Sequence, residues 1–187
     1  MSTATPVVPR RASLTTFIAL RAVVVAALAA VVTFSADHTP AFGLAVFGVF
    51  AVVQGAVIAA GARRFAVSRL GRLLALLRGA LLVVVGALSV ALLAGATVGG
   101  LLTVEIAGFL GAGALEVLSG VRRADASPAS RDLVTVGGLE LLVGVLLAIL
   151  QPDSIFAVGV LSAWGAVVAV YLGIAAASLA RRDGGTR

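Results

Sequence analysis

The fold is decided by the pattern of residues 42–93, which read FGLAVFGVFAVVQGAVIAAGARRFAVSRLGRLLALLRGALLVVVGALSVALL. Two apolar blocks flank the segment RRFAVSRLGR (63–72), which carries four arginines. Each block has the roughly 20 residues that a helix needs to cross a hydrocarbon core of about 30 Å. Lipid offers no partners to free backbone N–H and C=O groups, so such blocks must be helical. The stretch therefore predicts two transmembrane helices joined by a basic loop.

The rest of the chain repeats this alternation. Of its 187 residues, 61% are hydrophobic and 12% charged, and the mean hydropathy is +1.18. A soluble domain needs more polar surface than this composition supplies. We therefore predict one all-α, polytopic membrane domain (14–180) with six transmembrane helices. The predicted spans are Leu14–Phe34, Phe42–Ala62, Leu73–Leu93, Val98–Gly120, Leu133–Leu150 and Ile155–Ala180. Residues 1–13 are predicted to be a disordered tail and residues 181–187 a second tail.

The arginines lie on one side of the predicted membrane. Twelve of the 14 basic residues, all arginines, fall in the two tails and in the loops 63–72 and 121–132. The other three breaks, 35–41, 94–97 and 151–154, contain none. The positive-inside rule places the arginine-bearing side, with both termini, in the cytoplasm. We expect a multi-pass protein of a bacterial plasma (inner) membrane.

The net charge of +6 does not indicate nucleic-acid binding, because the arginines border apolar segments. We expect the lipid bilayer as the main partner, with further copies of the chain or other membrane proteins as possible partners. No nucleic-acid partner is expected.

The chain also carries an internal repeat. Arginine pairs recur every 59 residues, at 63/64, 122/123 and 181/182. Eight residues before each pair stands a small residue: Gly55, Ala114 and Gly173. This spacing predicts three parallel repeats of a helical hairpin, at about 14–64, 73–123 and 133–182. Coincidence among abundant Arg, Ala and Gly is the alternative.

Small residues at every fourth position predict close helix packing, since they let helix backbones approach one another. The positions are Ala51, Gly55 and Ala59 in the second span and Gly165, Ala169, Gly173 and Ala177 in the sixth.

Five ionisable residues remain inside the predicted spans: Arg21, Arg78, Glu105, Glu116 and Glu140. Each costs on the order of 2.5–3.5 kcal/mol at a helix centre, so each should face protein or water. All except Glu105 lie at one predicted depth, about 10 Å from the cytoplasmic ends at 1.5 Å per residue. A structural ring of ion pairs, a polar pathway or ligand pocket, and snorkelling of the arginines to the interface all remain open.

Glu105 lies in the outer half of its span, where no arginine is available. It precedes Glu116 by 11 residues, which puts both on one helix face about 16 Å apart, with Gly108 and Ala112 between them. We predict that Glu105 is protonated or reached by water from outside. A neutral acid hydrogen-bonded to a neighbouring helix and a proton relay are its two interpretations.

Catalytic and metal chemistry find no support in the sequence. There is no Cys and a single His, His38, which stands beside Asp37 in the first outer loop. No hydrolase, phosphate-binding or zinc-protease motif is present. We predict no enzyme activity, catalytic residue, cofactor or metal site.

The stretch LELLVGVLLAILQPDSIFAVGVLSAWGAVVAVYLGIAAASLARR (139–182) has a glycine in its first helix and a proline in its outer turn. An aromatic residue and a glycine follow before the basic pair. The first repeat keeps Pro40 and Gly55, whereas the middle repeat lacks the proline and carries two glutamates. In these features the chain resembles the HdeD-like family of bacterial inner-membrane proteins. The resemblance implies a connection with acid or envelope stress, no established biochemical activity and no catalytic residues to carry over.

Two functions follow as hypotheses. The first is a non-enzymatic structural or partner-binding bundle, which a dry, packed interior would favour. The second is a small transporter or channel for protons, ions or a small solute, with Glu105, Glu116 and Arg78 along its path. A water-filled cavity reaching Glu105 would favour the second.

Overall fold

Six long helices form the part of the chain that the computed structural model describes, residues 11–65, 68–122 and 129–184. They are α1 (Arg11–Thr33), α2 (Pro40–Phe65), α3 (Arg69–Ala91), α4 (Val98–Arg122), α5 (Ala129–Leu150) and α6 (Ser154–Gly184), and a single 3-10 turn (Leu92–Gly95) follows α3. All six helices are long and apolar enough to cross a membrane. The predicted all-α, six-helix architecture is confirmed, and the protein is a multi-pass membrane protein.

Several helices extend beyond the predicted spans at their basic ends. α1 begins at Arg11 rather than Leu14, α3 begins at Arg69 rather than Leu73, and α6 continues to Gly184 rather than ending at Ala180. Hydropathy marks only the apolar segment of a helix, whereas the backbone hydrogen bonds of the helix continue beyond that segment. Residues 1–10 of the first predicted tail and 185–187 of the second lie outside the described residues.

The helices run alternately up and down, which gives the bundle two distinct ends. We call one the arginine-rich end, because the described arginines at helix termini lie there: Arg63, Arg64, Arg69, Arg72, Arg122, Arg131 and Arg181. The other is the arginine-free end, formed by residues 34–39, 92–97 and 151–153.

A polar cap begins each even-numbered helix at the arginine-free end. The Thr39 hydroxyl accepts from the Phe42 N–H, and the Thr97 hydroxyl accepts from the Gly100 N–H. Asp153 caps α6 in the same way, its carboxylate accepting from the Phe156 N–H at 2.9 Å. These side chains satisfy backbone donors that a helix start leaves free. Each of the three short, arginine-free connections therefore ends in the same kind of N-terminal helix cap.

The six helices close into a ring. Each packs against its neighbours in sequence, and α6 closes the ring by packing against α1. The even-numbered helices α2, α4 and α6 also contact one another, so they lie nearest the bundle axis. The core between them includes Leu44, Phe47, Leu101, Phe109, Leu161 and Trp164.

The closest helix pairs are not the predicted hairpins. α2 packs most extensively on α3, α4 on α5, and α6 on α1, whereas α5 and α6 share little contact. The reason lies in facing glycines. A Cβ on Gly55 would lie 2.6 Å from the Gly79 carbonyl oxygen, and one on Gly113 would lie 2.8 Å from that of Gly137. The tight pairs thus join adjacent predicted repeats, and the division into three hairpins stays a prediction.

The two glycine contacts are related by a regular spacing. Gly113 and Gly137 follow Gly55 and Gly79 by 58 residues each. The same step backwards from Gly79 leads to Arg21 in α1. The α1–α6 pair therefore carries a charged side chain where the other two pairs carry a glycine.

The halves of α1 and α6 nearest the arginine-free end are joined by hydroxyl groups. Ser162 shares a hydrogen bond with the Thr33 hydroxyl at 2.7 Å and donates to the Ala29 carbonyl at 3.2 Å. Gly165 lies beside the same segment, and a Cβ there would be 3.3 Å from the Ala29 Cβ.

The predicted small-residue stripe of α2 packs as expected. Ala51 and Gly55 are buried, and half-buried Ala59 lies against Gly79.

The stripe of α6 is only partly correct. Gly165 is buried and Ala169 half-buried, but Gly173 and Ala177 are exposed, and Gly173 faces open space. The prediction was wrong for these two residues. Each step of four residues turns a helix by about 400°, so three steps rotate the stripe by about 120°. On this chain the stripe leaves the interface before it reaches Gly173.

Two adjacent glycines of α5, Gly137 in the helix contact and Gly138 outside it, allow a test of the close packing. In Gly137→Ala the new methyl group would meet the Gly113 carbonyl oxygen and the Val117 amide nitrogen, each at 2.8 Å. Backbone atoms cannot swing aside, so we expect a loss of about 1–3 kcal/mol of stability. Gly138→Ala is the matched control, since a Cβ there meets open space, and helix propensity favours Ala by about 0.5–1 kcal/mol. Thermal unfolding of the purified proteins in detergent measures both, and equal midpoints would contradict the interpretation.

Candidate functional site

Four of the predicted intramembrane charges form one connected network. Arg21 Nη2 donates to Glu116 Oε1 at 2.9 Å, and Arg78 Nη2 donates to Glu140 Oε1 at 2.6 Å. Arg78 Nη2 also lies 2.7 Å from Glu116 Oε2, which links the two pairs. Glu116 therefore sits between both arginines. We call these four residues the ion network.

The ion network joins all three tight helix pairs. Arg21 stands on α1, Arg78 on α3, Glu116 on α4 and Glu140 on α5. None of the four residues is more than 6% exposed. Two positive and two negative charges leave no net charge in the network when all are ionised. These contacts place the four residues at one level of the bundle, as the spacing predicted, and pair them as in the first of the three alternatives that the sequence left open.

In such a network the attraction between opposite charges mainly offsets the cost of removing them from water, and adds little net stability. Desolvation of paired charges can cost as much as their attraction returns, but removal of one member leaves its partner buried and uncompensated. On this basis we expect the ion network to favour the observed pairing of helices.

A pocket opens at the arginine-rich end and reaches the ion network. It has a volume of about 340 Å³, and Arg21, Arg78 and Glu116 line it. Ser68 and Arg122, which stand at helix ends, line it nearer the surface. The remaining lining is mostly apolar: Leu14, Phe17, Ile18, Ile58, Phe65, Leu133, Val136 and Leu172 among others. Volume, apolar walls and a few convergent polar groups are typical of small-ligand sites, which span about 300–1,000 Å³.

Glu105 stands apart from the ion network. It is 0% exposed, and neither carboxylate oxygen has a hydrogen-bond partner among the described residues. The structure thus shows neither the predicted access of outside water nor the predicted hydrogen bond to a neighbouring helix. An ionised, unpaired carboxylate is strongly disfavoured in such surroundings, so we expect a neutral carboxylic acid. Gly108, Ala112 and Glu116 are buried on the same face of α4, as the spacing predicted.

An aromatic layer lies between Glu105 and the ion network. The Phe109 ring packs edge-on against Trp164 with centroids 5.0 Å apart, and Trp164 packs against Phe50 at 5.7 Å. The ring centroids of Phe47 and Phe109 are 6.0 Å apart, and the Phe47 ring occupies the space beside Gly108 that a side chain there would fill. These rings come from α2, α4 and α6, the three helices nearest the axis. Trp164 packs in this layer between Phe50 and Phe109.

Three polar residues near the site, Gln54, Asp132 and Tyr171, were not predicted from the sequence. Gln54 is only 3% exposed, and no described residue forms a hydrogen bond with its side-chain oxygen. The Tyr171 hydroxyl donates to Asp132 Oδ1 at 2.8 Å, which ties α6 to α5 beside the pocket. Gln54 could have been recognised as the one amide side chain within an otherwise apolar span. The Tyr171–Asp132 pair had no signal, because 39 residues separate its members.

The connection between α1 and α2, at the arginine-free end, is held by local hydrogen bonds. The Thr39 N–H donates to Asp37 Oδ1 at 2.8 Å, and this bond lowers the pKa of the Asp37 carboxyl. His38 Nδ1 lies 3.3 Å from the Ala36 carbonyl oxygen. Both contacts are those of an ordinary capped turn and point to no ligand.

Comparison with known proteins finds no relative: no protein-family model, curated protein or solved structure matches the chain. The resemblance to the HdeD-like family therefore stays a prediction.

A double-mutant cycle tests the ion network. Arg78→Leu leaves Glu140 buried without its cation, so we expect a loss of about 3–5 kcal/mol. Arg78→Leu combined with Glu140→Leu keeps the single pair Arg21–Glu116 and should recover at least half of that loss. Free energies of unfolding in mixed micelles measure both. Arg72→Leu, an exposed arginine of the same helix, is the control. Single variants as stable as the wild type would contradict a structural role.

Proposed function

We propose that this is a non-enzymatic, multi-pass protein of a bacterial inner membrane that binds a small molecule or a partner segment from the cytoplasm. The observation that carries the proposal is the pocket at the arginine-rich end, which terminates on the ion network. Its opening, its apolar walls and its convergent arginines suit binding from one side.

The packing beyond the pocket supports binding rather than conduction. The pocket is lined by Glu116 and not by Glu105. The aromatic layer and the fully buried, unpaired Glu105 follow on the far side. A conducting path needs polar groups or water along its whole length, and the rings interrupt it.

The cellular setting rests on two further arguments. The positive-inside rule assigns the arginine-rich end, and with it both termini, to the cytoplasm. The resemblance to the HdeD-like family suggests a part in acid or envelope stress. On this basis we propose that the bundle acts as a structural or partner-binding component when the envelope is acidified.

The alternative is a small transporter, favoured by the contact between the pocket and three of the four network charges. In that case the present arrangement is one state, open at the arginine-rich end. Transport would require a second state in which Glu105 gains access to the arginine-free end. The two functions therefore differ in whether the aromatic layer ever opens.

Proton flux into liposomes separates these functions. We expect protein reconstituted with a trapped pH-sensitive dye to dissipate an acid pulse no faster than protein-free liposomes, because the aromatic layer blocks the axis. Glu105→Gln, which preserves shape and removes the titrating group, should behave identically. Rapid dissipation by the wild type that Glu105→Gln abolishes would establish the transporter instead.

Topology is testable directly because the wild-type chain contains no Cys. Single-cysteine variants Ser68→Cys and Ala36→Cys place one thiol in an exposed position at the arginine-rich and arginine-free ends, respectively. With a membrane-impermeant maleimide on intact cells, we expect Ala36→Cys to be labelled after outer-membrane permeabilisation. Ser68→Cys should react only after lysis. The reverse pattern would overturn the cytoplasmic assignment and the side from which the pocket is filled.

A further inference from the structure

A small void lies within the bundle, between the aromatic layer and the ion network. Its volume is about 10 Å³, close to the minimum that one water molecule occupies. It is bordered by side chains from α2, α3, α4, α5 and α6. Most of these side chains are apolar, but three of them, Gln54, Glu140 and Trp164, are polar.

Each of the three polar side chains has one buried atom without a hydrogen-bond partner in the described part of the chain. They are Gln54 Oε1, Glu140 Oε2 and Trp164 Nε1. The first two atoms are acceptors and the third is a donor. Buried polar groups in native proteins are almost always paired, with protein or with ordered water. Three unpaired atoms around one void require an explanation.

We propose that the void holds one structural water molecule, bound by Gln54, Glu140 and Trp164. A water molecule has two donor hydrogens, which match the oxygens of Gln54 and Glu140. Its oxygen accepts from the Trp164 indole N–H. All three unpaired atoms are thereby satisfied, and three hydrogen bonds are the usual number for a buried water. A metal cation does not fit, because the indole N–H would face it as a donor.

The water extends the ion network to every helix of the bundle. Arg21, Arg78, Glu116 and Glu140 represent α1, α3, α4 and α5. Gln54 and Trp164 stand on α2 and α6, the two helices that contribute no charge. Through the water, each of the six helices supplies at least one residue to a single polar network. This assignment is independent of whether the pocket binds a ligand.

Trp164 makes the site directly observable, since it is the only Trp of the chain. Full-length protein labelled with ¹⁵N-tryptophan in detergent micelles gives one indole N–H signal. We expect that signal to exchange slowly with solvent and yet to show a nuclear Overhauser cross-peak at the water frequency. A signal without any water cross-peak would overturn the proposal, and this measurement needs no variant.

One variant, with a matched control, tests the assignment of Gln54 as a partner of the water. Gln54→Leu removes one acceptor, so we expect the cross-peak to weaken at least twofold and the indole signal to shift. Ser89→Ala is the matched control, because Ser89 is a buried polar residue of α3 whose hydroxyl bonds only to Val85 O of its own helix among the described contacts. It should leave the signal unchanged. A cross-peak that Gln54→Leu leaves at full strength would remove Gln54 from the site.

Discussion

Charge neutrality in a medium that does not solvate ions is the constraint on which this bundle depends. Arg21, Glu116, Arg78 and Glu140 are each nearly inaccessible, and each is tolerable only beside its partners. Glu116 contacts both arginines and so holds α1 and α3 against α4. An arrangement that separated these partners would leave buried charges uncompensated. Apolar packing alone provides no comparable selection, because lipid tails and leucine side chains are equally apolar.

Close backbone contact supplies the second requirement. Gly55 meets Gly79 and Gly113 meets Gly137 at distances that no side chain would permit. The third helix pair, α1 with α6, has Arg21 at the corresponding position and uses the hydroxyls of Ser162 and Thr33 instead. Facing glycines therefore bring two of the pairs together, and the third combines hydroxyl hydrogen bonds with apolar side-chain packing.

The two ends of the bundle differ in what they offer to other molecules. At the arginine-rich end a pocket reaches the ion network, and its walls are apolar. At the other end, short capped turns connect the helices, and Glu105 is sealed beneath them. Phe109 and Trp164 separate the two regions. Because the two ends differ in this way, we propose a binding protein whose pocket receives its ligand from the cytoplasm.

The sequence by itself determined that the chain lies in a membrane, that it has six spans, and that the four paired charges share one level. Hydropathy and helix geometry are local properties, so they can be read directly from the order of the residues. It also placed Glu105, Gly108 and Glu116 on one face of α4. Only the tertiary structure decided that α2 pairs with α3 and α6 with α1, that Gly173 faces outward, and that Gln54 and Trp164 share a void with Glu140. These features depend on which helix faces meet in three dimensions. That choice arises from contacts between residues far apart in the chain, for which the local pattern carries no signal.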